Sequence, residues 1–421
     1  MRDDEQNLEL HAEDARLDAV NKRFYNRFPF PPPPIQLFFL TDPQFELRML
    51  SQNLGDWSQA TLPPRPRVLV PGCGTFQAVS LALQLPTADI LGVDLAEESL
   101  ATCRKTAGEV GLSNLEVREE NILDLAFRDE FDYIDCDGVL HHLADPAAGF
   151  RALARALKPG GILRVMVYNR YHRIATSAFQ KAVKTLLADA SLRDLDSGLQ
   201  VARRLLEECP AGGKLREYSE EIASDAQFAD TFLQPVEQSY TVESLQALVE
   251  DCGLELLHPQ VTLWDRTWNT YLWNMTFEDP ELRERYEALD DLERWKIANW
   301  LGQEKSPMLS FYLQRQDSGR PRRTEREICD AFLSTVFERS RTTRQVYQRG
   351  PDDVYALSSL SASYPPEPKD PRKAKILAAA DGRTPMGEIL ARLGMPTGFE
   401  TVNRLRIELA TSAFPFLVAV S

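Results

Sequence analysis

Between Arg67 and Tyr168, short apolar runs alternate with longer stretches of helical period, and this alternation narrows the fold more than any other feature of the chain. Parallel strands need a crossover long enough to hold a helix, so an alternation of this kind reads as a doubly wound α/β sheet. The runs predict strands at Val68–Pro71, Ile90–Val93, Leu115–Arg118, Tyr133–Asp137 and Ile162–Tyr168, with helices near Phe76–Leu85, Ala96–Val110 and Ala147–Leu157.

The first strand runs into "PGCGTF", two glycines one residue apart at the start of a helix. Where no Cβ stands in the way, a ligand can approach the backbone, and a helix N-terminus offers N–H groups. The dinucleotide pattern G-x-G-x-x-G asks for a third glycine, and that position is Gln77. A nicotinamide-dependent oxidoreductase is therefore disfavoured. The second strand ends in Asp94, whose carboxylate can accept hydrogen bonds from both hydroxyls of a ribose. The two contacts together suit an adenosine held without a diphosphate.

Outside this region the chain divides by composition. Residues 1–65 begin charged and helix-like, then pass through "FYNRFPFPPPP", an extended strap led in by Tyr25, Phe28 and Phe30. Within a catalytic domain at 66–316, residues of about 171–238 read as a helical insertion. "YTVESLQALVEDCGLELL" is a helix that Gly253 stops before a strand, and "MLSFYLQRQ" is a further strand. After the linker "QDSGRPRR", residues 324–421 form a mainly helical or winged-helix-like module: a helix near Glu325–Arg339, a proline-rich break and three short helical segments.

A chain of 421 residues with 43% hydrophobic and 26% charged residues can bury a sizeable core. Its net charge of -15 argues against a polyanionic partner. No run reaches the roughly 20 apolar residues of a membrane span, and the acidic start "MRDDEQNLEL" is unlike a signal peptide. The six cysteines, Cys73, Cys103, Cys136, Cys209, Cys252 and Cys329, are scattered with no C-x-x-C pair. No metal site is expected, and a reducing, cytoplasmic setting is.

The ordered series "VLVPGCGT", Asp94, "FDYIDCDGVLHHLADPAAGFRALARALKPGGILRVMVY" and "YTVESLQALVEDCGLELL" resembles the class I S-adenosylmethionine-dependent methyltransferases, over about Arg67 to Gln316. The resemblance implies a Rossmann-like, doubly wound α/β fold with a seven-stranded sheet, and S-adenosyl-L-methionine as cofactor. Carried onto this chain, it implies that the Gly72-Cys73-Gly74 turn meets the methionine part and Asp94 the ribose. Leu95 and Ile122 would sandwich the adenine, and Asp137, Gly138 and Val139 would line the sulfonium end. Asn121 stands where many relatives have an aspartate beside the adenine amino group; its amide oxygen could accept the same hydrogen bond.

The expected reaction moves a methyl group to an oxygen or nitrogen of a small molecule, leaving S-adenosylhomocysteine. His141 and Tyr168 are the candidate catalytic residues: His141 and His142 follow the fourth strand, where one could deprotonate an acceptor or both could be structural. Tyr168 and Asn169 end the fifth strand, where ligands of such sheets bind, or else cap the next helix. The aromatic, proline-rich strap is either a lid or packing, and Trp264, Trp268 and Trp273 are expected in the core. The C-terminal module faintly resembles PqqD-like peptide-binding domains. Its arginines are too scattered for nucleic acid, so it is expected to present a peptide or protein acceptor or to mediate homodimerisation. A regulatory protein that binds the cofactor without turning it over is the reading from another class. No membrane partner is expected.

Overall fold

A computed structural model describes residues 17–187, 194–209, 215, 219–220, 222–270, 273 and 275–420. The alternation foreseen in the sequence is realised as β2 (Arg67–Pro71), α3 (Gln77–Gln84), β3 (Asp89–Asp94), α4 (Glu97–Glu109), β4 (Leu115–Glu119), β5 (Phe131–Asp137), α5 (Pro146–Ala156) and β6 (Leu157–Tyr168). With β7 (Leu254–Pro259) and β8 (Met308–Arg315) these strands form one seven-stranded sheet of order β4-β3-β2-β5-β6-β8-β7. Pairing is parallel up to β6, and β8 runs antiparallel to both its neighbours. This is the Rossmann-like α/β fold.

Strands buried on both faces read as continuous apolar runs, as Val68, Leu69 and Val70 do. One core lies on the face holding Leu69, Ile134, Leu163, Phe150 and Trp295, and a second on the face holding Val68, Val70, Val79, Ile90 and Leu100. Helix α5 shows why its residues form a helix: Asp145 caps it by accepting from the Ala148 N–H at 2.9 Å, and Pro146 stands in its first turn.

The strap begins as helix α1 over residues 17–27, while the charged start at 1–16 lies outside the described residues. Phe24 and Phe28, one helical turn apart, are buried among Phe179 and Val183 of α6 (Arg170–Leu187), Leu199 and Leu206 of α7 (Leu195–Glu208), and Phe228 and Phe232 of α8 (Asp225–Phe232). The insertion is thus helical in its described parts, and it clasps the strap.

Beyond the prolines, the strap becomes β1 (Gln36–Leu40), an element absent from the sequence reading. β1 pairs antiparallel with β10 (Thr342–Arg349), which pairs with β11 (Tyr355–Tyr364). The helix expected near Glu325–Arg339 is α13 (Glu325–Ser334, following α9 at Val242–Asp251, α10 at Leu263–Trp268, α11 at Pro280–Glu287 and α12 at Asp291–Gly302); it gives way to β9 (Val336–Arg339). The three short helical segments are α14 (Pro371–Ala379), α15 (Met386–Arg392) and α16 (Phe399–Ala410), gathered around Phe332, Phe337 and Trp57.

Residues 324–420 are stitched to the rest of the chain. Gln52, on α2 (Phe45–Asn53), donates to the carbonyls of Ala410 (3.0 Å) and Leu417 (3.1 Å) and accepts from the Ala419 N–H (2.8 Å). Buried Glu325 meets Arg294 of α12 at 3.0 Å. No helix among the described residues is long and apolar enough to cross a membrane.

Candidate active site

A cleft of about 430 Å3 opens at the carboxyl ends of β2, β3, β5 and β6, where ligands of such sheets bind. It has two ends of different construction.

At one end the β2–α3 turn places Gly72 (φ +64°) and Gly74 (φ +54°) in the left-handed region. A Cβ on Gly72 would overlap the Val139 side chain, and one on Gly74 would stand 2.6 Å from the Phe30 carbonyl oxygen. The second glycine is therefore required by the strap as well as by any ligand. Thr75 donates its hydroxyl to the Pro31 carbonyl, and Phe30 and Pro31 form part of the cleft wall. The strap roofs this end, which favours the lid over mere packing. Asp94 accepts from the Gly74 N–H at 2.8 Å and the Ala96 N–H at 2.9 Å, so its carboxylate ties the ends of β2 and β3. Burial pushes its pKa up against these bonds. Each carboxylate oxygen has further lone-pair capacity for a ligand hydroxyl.

Leu95, Ile122, Asp137, Gly138 and Val139 all line the cleft, as expected of them. Asp137 is held by Arg164 Nη2 at 2.8 Å. Two of the expected contacts are placed differently. Cys73 shares the turn through its backbone, but its side chain is fully buried, with Sγ beneath Gly92 and against Cys103, and it does not line the cleft. The thiol turns inward because its neighbours on either side turn left-handed. Asn121 lines the cleft, yet its amide oxygen caps the Leu123 N–H at 3.0 Å and its nitrogen donates to Asp18 at 2.8 Å. The oxygen foreseen for an adenine amino group is already engaged locally.

The other end is assembled from distant segments. Asn21 and Tyr25, one turn apart on α1, face the cleft from the strap; Gln227, Asp230 and Thr231 face it from α8. Phe228, Ala229 and Phe232 occupy the opposite stripe of α8 and hold it to the strap. The Tyr25 hydroxyl donates to Asp230 Oδ1 at 3.1 Å, and the Tyr168 hydroxyl lies 3.4 Å from Oδ2. Gln234 donates to the Tyr25 oxygen at 2.5 Å. Burial pushes the Asp230 carboxyl and the Tyr25 phenol up from their ordinary values. Behind Tyr168, the Arg173 guanidinium lies 4.1 Å from the ring centre and is itself paired with buried Glu237.

Tyr168 faces the cleft as expected, but His141 does not. Its ring is fully buried, 4.0 Å centre to centre from the Tyr168 ring, and neither nitrogen has a hydrogen-bond partner among the described residues. Burial, with His142 and Arg173 nearby, pushes its pKa well down. His141, on the short 3-10 turn at Leu140–His142, packs behind the cleft wall against Tyr168. His142 lines the cleft, its Nδ1 held 2.9 Å from the Val236 carbonyl. Asn169 is also structural: fully buried, it donates to the carbonyls of Gln303 and Ser306 and accepts from Asn299.

The tryptophans divide. Trp273 is core, packed on Phe311 at 5.2 Å, whereas Trp264 lines the cleft and Trp268 is 55% exposed. Helix α10 turns Trp268 to solvent and Trp264 to the cleft, so near-helical aromatic spacing does not put these two residues in a core.

Residues 64–226 match a family model described as a methyltransferase domain. An uncharacterised protein of Synechococcus sp. is 31% identical over 315 residues, 72% of each chain. The ubiquinone biosynthesis O-methyltransferase of Paracidovorax citrulli is 36% identical over 106 residues, which are 25% of this chain and 44% of that one. Among solved structures, PKMT2 from Rickettsia typhi in complex with AdoHcy superposes with a TM-score of 0.58 at 16% identity, covering 89% of this chain and 76% of that one.

Proposed function

This chain belongs to the class I S-adenosylmethionine-dependent methyltransferases, and on that premise we propose that it methylates an oxygen or nitrogen of a small molecule within the cleft described above. The observation that carries this reading is the continuity of the cleft. A glycine turn and a ribose-suited carboxylate at one end open into a roofed polar chamber at the other.

The residues present suit S-adenosyl-L-methionine. Gly72 and Gly74 leave the backbone of the turn uncovered, Asp94 has lone pairs for ribose hydroxyls, Leu95 and Ile122 offer apolar walls to a purine, and Asp137 to Val139, which line the same cleft, would face the sulfonium end. When bound, that cofactor supplies a methyl group on a positively charged sulfur, leaving S-adenosylhomocysteine after transfer. The protein's share is alignment and the exclusion of water. Phe30 and Pro31 close over the turn, while α1 and α8 close over the chamber.

Two observations support a small acceptor over a peptide offered by residues 324–421. The chamber is roofed on two sides, and none of its lining residues lies beyond Met308. The local likeness to ubiquinone biosynthesis O-methyltransferases favours oxygen. Calorimetric titration with S-adenosylmethionine, beside an Asp94→Ala control, followed by a radiolabelled-methyl screen of phenols, alcohols and amines, tests the reading. Binding lost in the control and label in a small product are expected. Binding without transfer to any acceptor would favour a regulatory role.

A further inference from the structure

Asp230 is out of place on ordinary stability grounds. Its residue is 4% exposed, and among the described residues no cation pairs with it; its hydrogen-bond partners are two phenols. A buried carboxylate without a cation is costly, and such groups cluster where chemistry needs them. The nearest guanidinium, Arg173, is already committed to Glu237, with Gln180 bonded to the same carboxylate at 3.0 Å. The two phenols come from different elements, Tyr25 from the strap and Tyr168 from β6, and both line the cleft beside His142.

We propose that Asp230, reached through the phenol of Tyr168, takes the proton of the methyl acceptor, and that the chamber selects acceptors whose nucleophilic atom bears a proton and no negative charge: hydroxyls and amines. This rests on the methyltransferase reading above and names the acceptor class of that site.

The proton inventory closes. The acceptor atom uses a lone pair to bond the incoming methyl carbon, and the sulfur keeps the electron pair of the bond that breaks. The acceptor's proton passes to the Tyr168 oxygen as that phenol's own proton passes to Asp230, and Asp230 returns it to water on product release. Tyr25 holds the second carboxylate oxygen and Gln234 orients Tyr25, so the proton-taking group is complete only when the strap lies over the chamber. The Tyr25 and Tyr168 oxygens stand 3.1 and 3.4 Å from the two carboxylate oxygens. An anionic acceptor would face the charge of Asp230, and the Arg173 guanidinium nearby is already paired with Glu237.

The groups facing Asp230 are Tyr25 from α1, Tyr168 from β6, His142, Arg173 from α6 and Glu237. Burial, the largest influence, raises its pKa, while His142 and Arg173 oppose the rise. The working form is the carboxylate, so turnover should fall as pH drops through that raised value.

The test uses the full-length chain. Asp230→Asn keeps the shape of the side chain and one oxygen that can accept from a phenol, and is expected to bind S-adenosylmethionine as the wild type does, to lose turnover by about 100-fold or more, and to lose the acidic limb of the pH profile. Asp230→Glu should restore part of the rate and the limb, and His142→Gln should keep the limb. Turnover within threefold in Asp230→Asn, or loss of the limb in His142→Gln instead, would overturn the assignment. A second measurement needs no turnover: with S-adenosylhomocysteine bound, phenol and benzylamine should bind at least tenfold better than benzoate, and Asp230→Asn should abolish that preference. No difference among the three probes in the wild type overturns the acceptor class. Failure of the wild type to bind S-adenosylmethionine would instead fault the underlying methyltransferase reading, a separate result.

Discussion

The two ends belong to one cleft yet are built in opposite ways. The glycine end is made by successive βα turns of one sheet, from Gly72 through Val139, and its key bond joins Gly74 to Asp94, 20 positions apart. The chamber end joins Tyr25 to Asp230 across 205 positions, with Trp264 and Met308 farther still. A turn that must accept the same ligand is written into local sequence. The chamber is written into whichever distant surfaces the fold brings together.

The contrast can be broken from either side. Phe232→Ala empties the clasp between strap and insertion and should cost about 3–5 kcal/mol of stability in that subunit of the fold. Hydrogen exchange should then report α1 and α8 opening before the sheet does, and acceptor turnover should suffer more than cofactor affinity. Equal loosening of β2 and β3 would show that the two ends are a single unit.

Asp94→Ala removes the acceptor for two backbone N–H groups and for a ribose, and should weaken S-adenosylmethionine binding by about 3 kcal/mol, roughly 100-fold. Asp230→Asn acts at the other end and in the other direction. The folded-state pKa of Asp230 lies above its ordinary value of 3.8, so the stability it contributes is present below that value and is lost as pH rises through the raised one. Thermal unfolding should accordingly find Asp230→Asn more stable than wild type at pH 7, by about 1–3 kcal/mol, with the gap closing as the solution is acidified. A variant less stable at neutral pH would mean the carboxylate is structural.

The smallest effects sharpen the boundary between the two ends. Trp264→Ala should raise the acceptor KM about tenfold, a change of about 1.4 kcal/mol, and leave cofactor affinity unchanged. Asn121→Asp should weaken cofactor binding a fewfold, because it sets a second carboxylate against Asp18 where an amide now donates.

How far the molecule could be read from its sequence follows the same division. All seven strands of the large sheet were legible, since doubly buried strands and their helices keep their periods. So were most residues of the glycine end. The inward turn of the Cys73 thiol and the local bonds of Asn121 were not legible, because a motif names positions and not the direction in which a side chain leaves the backbone. His141 and His142 are adjacent and alike, and only the turn decides which one meets the cleft. The stripe Gln227, Asp230 and Thr231 was visible as a polar face opposite Phe228 and Phe232, but nothing local says that the face looks into a chamber. The β10–β11 hairpin escaped notice because β10 is half-buried at every position, so it shows no alternation of apolar and polar residues.

β1, the strand that anchors the strap, has consequences for the birth of the protein. Gln36 stands opposite Gln348, 312 positions later, and every pairing of β1 is with residues 344–348. A chain emerging from the ribosome at about 5–20 residues per second can form the sheet and its glycine turn long before the strand that secures the roof has a partner. A product truncated between β8 and β10 would carry all seven strands of the large sheet while β1 lacked its partner strand, leaving the strap held by contacts such as those with the insertion and with Thr75.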